Sequence, residues 1–311
     1  NMSPMLAGGR RFSQSSASRH RLLTTAPGAP GGACGIEDGR GSVVIISAPQ
    51  KPKLEQIFTC QRPVLFRGLA KKWKAISWLD QTSANYMRNR LNLAKEDVIV
   101  PMEFGDYMQG EFQKGHVGLN SVFDTLEVEM GMNKEDRKLA LHWYVAQHEL
   151  KDISPTLLED VETPDLCLTT GKKTIYRNNF WLNGAAGSSS PCHNDPFNNM
   201  LVQLHGEKKV TLFDDKSAEA LYLASDTVQQ NTSTIPFAKY EDEETGEVDI
   251  PASDFPLYHG VGKKTQYGPV TMMPGTPCTS LSNTTTGAEP MAPPSASTGG
   301  GCRQGVPACP A

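Results

Sequence analysis

Residues 180–213 read FWLNGAAGSSSPCHNDPFNNMLVQLHGEKKVTLF, and this stretch decides how the rest of the chain is understood. At its centre is His193-Asn194-Asp195, with Asn199 shortly after and Lys208 beyond one more apolar run. Side chains alternate along a strand, so a histidine and an aspartate two residues apart share a face. One nitrogen and one oxygen ligand on one face make two thirds of the 2-His-1-carboxylate arrangement that holds non-haem Fe(II). Such a site needs a second histidine from elsewhere in the chain.

Around this centre the punctuation is that of short strands. Apolar runs at Tyr176–Leu182, Met200–His205 and Lys209–Phe213 are separated by turn residues at Gly184-Ala185-Ala186-Gly187, Asp195-Pro196 and Gly206-Glu207. Closely spaced strands with regular turns predict a sandwich or barrel, and the jelly roll of the cupin kind is the one that carries H-x-D sites. The fold class expected is mainly β with flanking helices. Upstream, strands are predicted in Gly41–Ile46, in the run Arg62–Leu69 that ends at its glycine, over Val98–Met102, and over His142–Leu150 as a strand and its exit. Helices are predicted after Trp73, over Phe104–Met108, over Asn120–Met130 and over Ser154–Asp160, where Pro155 suits a first helical turn. Ser217–Tyr222 reads as a helical turn, Tyr240–Asp249 as a solvated acidic loop and Lys264–Met273 as a last strand.

Composition narrows the partners. A net charge of −4 over 311 residues gives no bulk attraction for nucleic acid. No apolar run approaches the ~20 residues that cross a bilayer. The 7 cysteines are odd in number and none form C-x-x-C, which reads as reduced intracellular thiols. Residues 1–42 are rich in Gly, Ser, Ala and Arg, with Glu37 the first acidic residue. Arg10, Arg11, Arg19 and Arg21 among serines resemble a mitochondrial transit peptide; a disordered tail or leader is the other reading. Localisation is expected to be nuclear or cytoplasmic, with mitochondrial import the alternative.

The run Ser190-Pro191-Cys192-His193-Asn194-Asp195-Pro196, then Asn199, a V-Q-L strand and G-E-K, resembles the JmjC family of Fe(II)/2-oxoglutarate oxygenases, in its cupin-like hydroxylase branch. Trp143-Tyr144-Val145-Ala146-Gln147-His148-Glu149-Leu150, Pro164-Asp165, Trp181 and Asn231-Thr232-Ser233 extend the resemblance, which covers about residues 55–275. It implies that His193 and Asp195 bind the metal and that Lys208 pairs with the distal carboxylate of 2-oxoglutarate. It also implies that Tyr144, Ser190 and Asn199 hydrogen-bond that cosubstrate, while Trp181 shapes the pocket wall. Alternation admits only one of Lys208 and Lys209 to the interior; spacing does not say which, and the resemblance selects Lys208, leaving Lys209 as an exposed strand-end residue. His142, His148 and His205 are read as packed or surface histidines. The implied cofactors are Fe(II) and 2-oxoglutarate. The implied substrate is a protein side chain, by arginine hydroxylation or methyl-lysine demethylation, with hydroxylation favoured because no chromatin-reader segment accompanies the catalytic region. No nucleic-acid or membrane partner is expected.

The family supplies its second histidine from a strand resembling G-D-x-L-Y-I-P…W-W-H. Here Val270-Thr271-Met272-Met273-Pro274-Gly275 leads up to that motif, and residues 276–311 then contain no histidine and no aromatic residue. Read as protein, this is low-complexity sequence, and the closing strands of the jelly roll are expected to be lost after Gly275. Read in the frame that begins at the third base of each codon, permitted codons turn 276–289 into D-A-L-Y-I-P-Q-Q-Y-Y-H-W-C-R and 292–300 into G-A-T-F-R-V-N-W-W. The recovered histidine overlaps Thr285 and Thr286. The domain reading is therefore a leader over 1–42, a JmjC/cupin-like domain over 43–275 (barrel 171–275) and an out-of-frame tail over 276–311. His259 precedes the last strand and is a poor substitute ligand. An oxygenase impaired by the missing histidine is expected, or a catalytically inactive binding protein with the same fold.

Overall fold

The computed structural model describes residues 44–47, 63–80, 82–105, 113–169, 175–184, 189–195, 197–214, 217–223, 231–242, 248–280, 284–291 and 296–302; along 44–47, 284–291 and 296–302 it describes the backbone. The leader over 1–42 lies outside these residues, as do parts of the glycine-rich turn and of the acidic loop.

Thirteen strands form two sheets among the described residues. They are β1 (Val44–Ser47), β2 (Val64–Arg67), β3 (Ile99–Phe104), β4 (Gln113–Gly118), β5 (Trp143–Glu149), β6 (Ile175–Asn183), β7 (Ser190–Asn194), β8 (Asn198–Gln203), β9 (Glu207–Asp214), β10 (Gln266–Met272), β11 (Thr276–Ser280), β12 (Thr284–Met291) and β13 (Ala296–Cys302). The larger sheet runs β1-β2-β11-β8-β13-β6-β5-β3-β4, and the smaller one runs β10-β9-β12-β7. Apart from the parallel β1–β2 pair, the ladders are antiparallel. From β6 to β13 the chain passes back and forth between the sheets, except that β9 and β10 pair within the smaller one, as it does where jelly-roll connections wrap around a common interior.

The helices are short and local in origin. α1 spans Asn85–Arg90, α2 Leu119–Met130, α3 Lys134–Lys138, α4 Leu150–Ile153, α5 Asp165–Thr169 and α6 Pro256–Gly260. In α2, Leu119, Val122, Phe123 and Leu126 are buried at the i, i+3, i+4, i+7 spacing that makes one apolar stripe. Asn133 caps α3, its side chain accepting from the backbone N–H of Glu135 and Asp136. Ser154 caps the 3-10 turn Pro155–Asp160 through Thr156 N–H.

The main core lies under the larger sheet, where Trp78, Phe123, Trp143, Phe180 and Leu182 are almost fully buried. Polar groups brace it. Trp78 Nε1 donates to Asp160 Oδ2 at 2.9 Å, and Arg90 Nη2 donates to Asp160 Oδ1 at 3.2 Å. Trp143 Nε1 donates to Glu129 Oε1 at 2.9 Å, with Gly184 pressed against both side chains. A second cluster, Leu65, Val210, Leu212, Met272 and Cys278, draws on strands of both sheets.

Two expectations are corrected. The closing strands are present: β11 pairs with β8 and β2, β12 with β9 and β7, and β13 with β6 and β8. Strand ladders are made by backbone N–H and C=O groups, so an extended chain can pair without the usual apolar side chains. Gly275 sets the entry to this segment. Its φ is +77°, its N–H donates to Gln203 O at 2.8 Å, and its carbonyl accepts from Ala70 N–H at 3.2 Å. A Cβ there would meet the Lys71 backbone at 3.1 Å, in a backbone region that L side chains rarely adopt. Second, Phe104 ends strand β3 instead of opening a helix, because Glu103 and Phe104 pair with Tyr144 and Trp143; residues 106–110 lie outside the described ones. The β4 strand, QKGHVG, was not signalled by its sequence; tertiary pairing with β3 imposes it.

Candidate metal and anion site

β7 positions the central pair. It is held on one edge by β12 and on the other by the strap Asn231-Thr232-Ser233. In that strap Ser233 N–H donates to Cys192 O at 2.7 Å, Asn231 O accepts from Asn194 N–H at 2.8 Å, and Asn231 Nδ2 donates to Asn194 O at 2.9 Å. The polar triplet is thus a short extra rung that fixes the backbone around His193.

His193 Nδ1 lies 2.7 Å from the carbonyl of Pro191. A carbonyl only accepts, so Nδ1 carries the proton and Nε2 presents a lone pair. That Nε2 faces Asp195 Oδ2 at 3.9 Å. Two atoms each about 2.1 Å from one ion can be at most about 4.2 Å apart. The pair is therefore close enough to share an ion. Both side chains keep solvent contact, at 30% and 43% exposure. Asn199 Nδ2 donates to Asp195 Oδ2 at 2.7 Å and orients the carboxylate. The resemblance implied a bond from Asn199 to the cosubstrate; the bond seen here is to the aspartate.

The two lysines separate cleanly. β12 pairs His193 with position 286, and β9 pairs Leu212 with the same position. Directly opposed residues in an antiparallel ladder share a face. Counting by twos along β9, Lys208 lies on the same face as Leu212 and His193, four residues or about 13 Å along the strand. An extended lysine stem and a dicarboxylate together bridge such a gap. Burial pulls the Lys208 ammonium from 10.5 down to about 8, with desolvation the cause. Lys209 is the reverse of the exposed residue expected. It is 8% exposed, and its Nζ meets Glu241 Oε1 at 2.7 Å, so its charge is already paired.

The remaining site residues fall into two groups. Tyr144 and Trp181 stack with ring centroids 5.5 Å apart, and burial raises the Tyr144 phenol well above its ordinary value. Ser190 opens β7 in register with Ala288. The other histidines have different surroundings. Burial lowers the pKa of both His148 and His205. His259 Nε2 is taken by the carbonyl of Ile250.

The third ligand is what the site lacks. Among the described residues, no group of three His, Cys, Asp or Glu could hold a metal ion. His193 and Asp195 fit two positions of the Fe(II) triad, and the donor set as a whole does not fit it.

The two-sheet jelly roll thus carries the H-x-D pair on β7, at the end of the smaller sheet, with Lys208 on the same face. The chain belongs to the family described as the cupin-like domain, whose profile matches residues 49–275, and within it is a JmjC-domain protein. It is 32% identical over 201 residues to Jumonji C domain-containing protein 5 of Drosophila melanogaster, covering 62% of this chain and 47% of that protein. It is 30% identical over 183 residues to Lysine-specific demethylase 8 of Danio rerio, covering 56% and 40%. With Lysine-specific demethylase JMJ30 of Arabidopsis thaliana it shares 27% over 168 residues, covering 54% and 37%. The chain spans less than half the length of these relatives.

Proposed function

We propose that this chain seats 2-oxoglutarate as a member of an oxygenase family, and that its oxidation of a protein side chain is impaired by the incomplete metal site. The observation that carries this reading is Lys208. A lysine whose ammonium is desolvated is unfavourable unless an anion joins it. Its place on the His193 face suits a dicarboxylate whose far end meets Nζ and whose near end lies toward the H-x-D pair. Tyr144 and Trp181 would wall the pocket, and Ser190 would offer a hydroxyl at its side.

With a complete iron site, such a family couples conversion of 2-oxoglutarate and O₂ to succinate and CO₂ with hydroxylation of a C–H bond. His193 and Asp195 would hold two metal positions, Pro191 O fixing the imidazole and Asn199 the carboxylate. The names of two relatives, lysine-specific demethylases, support a protein side chain as the substrate class; arginine hydroxylation and methyl-lysine demethylation are the two forms of oxidation proposed. No helix among the described residues is long and apolar enough to cross a membrane.

A second reading, a binding protein without turnover, is favoured by the same missing ligand. Two measurements separate them. Calorimetric titration of 2-oxoglutarate is expected to show binding that Lys208→Met weakens by at least about 30-fold; absence of binding to the unaltered chain refutes the proposal. Succinate formation with Fe(II) and ascorbate is expected to be at or near background; turnover at ordinary oxygenase rates would refute the impairment.

A further inference from the structure

The disagreement between the donor set and the fold has a location. β12 runs antiparallel to β7 with position 286 in direct register with His193 and position 285 with Asn194. The same strand pairs 286 with Leu212 of β9, so two ladders fix its placement independently. Opposed positions in an antiparallel pair share a face. Position 286 is thus on the face that carries His193, and position 285 is on the other. The residue there is threonine, whose neutral hydroxyl is a weak ligand beside an imidazole or carboxylate. The re-read codons place a histidine over Thr285 and Thr286, and they do so from the sequence alone.

A second mismatch lies on the neighbouring sheet. Asn179 Oδ1 is buried without a hydrogen-bond partner among the described residues, and the residue in register with Asn179 on β13 is Gly299, which has no side chain to donate. The closing strands occupy the right places with the wrong side chains.

We propose that position 286 is the third-ligand position of this site, and that one histidine there completes a divalent-metal centre in the chain otherwise unchanged. The proposal rests on the reading of His193 and Asp195 as metal ligands, and it is independent of 2-oxoglutarate.

The test compares the full-length chain with Thr286→His and Thr285→His, titrated anaerobically with Co(II) alone by calorimetry and visible absorption. Thr286→His is expected to bind Co(II) at least about tenfold more tightly than the unaltered chain, since even an outer-shell partner is worth that much at a metal site. It should also show ligand-field bands that His193→Ala removes. Thr285→His should bind as the unaltered chain does. Equal affinity of Thr286→His and the unaltered chain overturns the proposal, as does equal tightening by Thr285→His. Should Thr286→His lose its cooperative thermal transition, Thr286→Asp supplies a smaller ligand at the same register, and its failure to tighten Co(II) binding is equally decisive. Tight Co(II) binding without 2-oxoglutarate binding would sustain this inference while refuting the cosubstrate reading. The converse result would refute this inference alone.

Discussion

Replacing Lys208 with methionine should stabilise the protein and weaken its affinity for dicarboxylates together. The ammonium is held at about 8 in the fold against 10.5 for the free side chain, and desolvation is the cause. At about 1.4 kcal/mol per pH unit, that gap is about 3 kcal/mol of folding free energy forgone at neutral pH. Methionine keeps most of the stem's volume and carries no charge, so Lys208→Met should gain about 3 kcal/mol at pH 7. The sign with pH is fixed by linkage. Between pH 8 and 10.5 the unfolded chain holds the proton and the folded chain does not, so the unaltered protein grows more stable as pH rises through that window. Below about pH 8 both states are protonated and the penalty is constant. The advantage of methionine should therefore shrink across the window and vanish near pH 10.5. A bound carboxylate reverses the shift. Near pH 8, where about half the molecules carry the proton, 2-oxoglutarate binding should take up close to half a proton, read from calorimetry in buffers of different ionisation enthalpy. Losing the ion pair should weaken the ligand by at least about 2 kcal/mol, roughly 30-fold. Urea titrations at pH 7 and pH 10.5, together with the ligand titrations, check both halves. A methionine variant no more stable at pH 7, or one that binds 2-oxoglutarate as before, refutes the reasoning.

Three further outcomes are expected. Asp160→Ala leaves Trp78 Nε1 and Arg90 without the acceptor they share in the core, and should destabilise by about 3 kcal/mol in urea unfolding. Gly184→Ala drives a methyl group to within 3.0 Å of Trp143 Nε1 and Glu129 Oε2, and should cost about 2 kcal/mol or more, seen as a lowered thermal midpoint. Asn199→Ala frees the Asp195 carboxylate; in a Thr286→His background it should weaken Co(II) binding roughly tenfold while leaving 2-oxoglutarate affinity within about twofold.

The centre of this protein is legible in its sequence because each local signal agrees with the fold. The H-x-D spacing has the strand period, α2 carries a clean apolar stripe, and Pro155 follows a capping serine. Whatever depends on partners distant in the chain stays open. Alternation divides Lys208 from Lys209 without saying which is inward, and the register through β12 decides it. Lys209 is buried because Glu241 is 32 residues away in sequence and 2.7 Å away in space. β4 has no strand-like pattern and exists because β3 offers it a ladder. The tail departs from expectation for a related reason. Loss of apolar residues predicts loss of a core, yet backbone pairing asks only for an extended chain and a free edge.

That edge begins at Gly275. Both of its backbone groups are tied, to Gln203 and to Ala70, and its left-handed turn aims the next strand between β8 and β2. The residues beyond it enter at a set position whatever their side chains. The entry point of the closing segment is therefore set by groups that lie outside it, the carbonyl of Gln203 and the amide of Ala70.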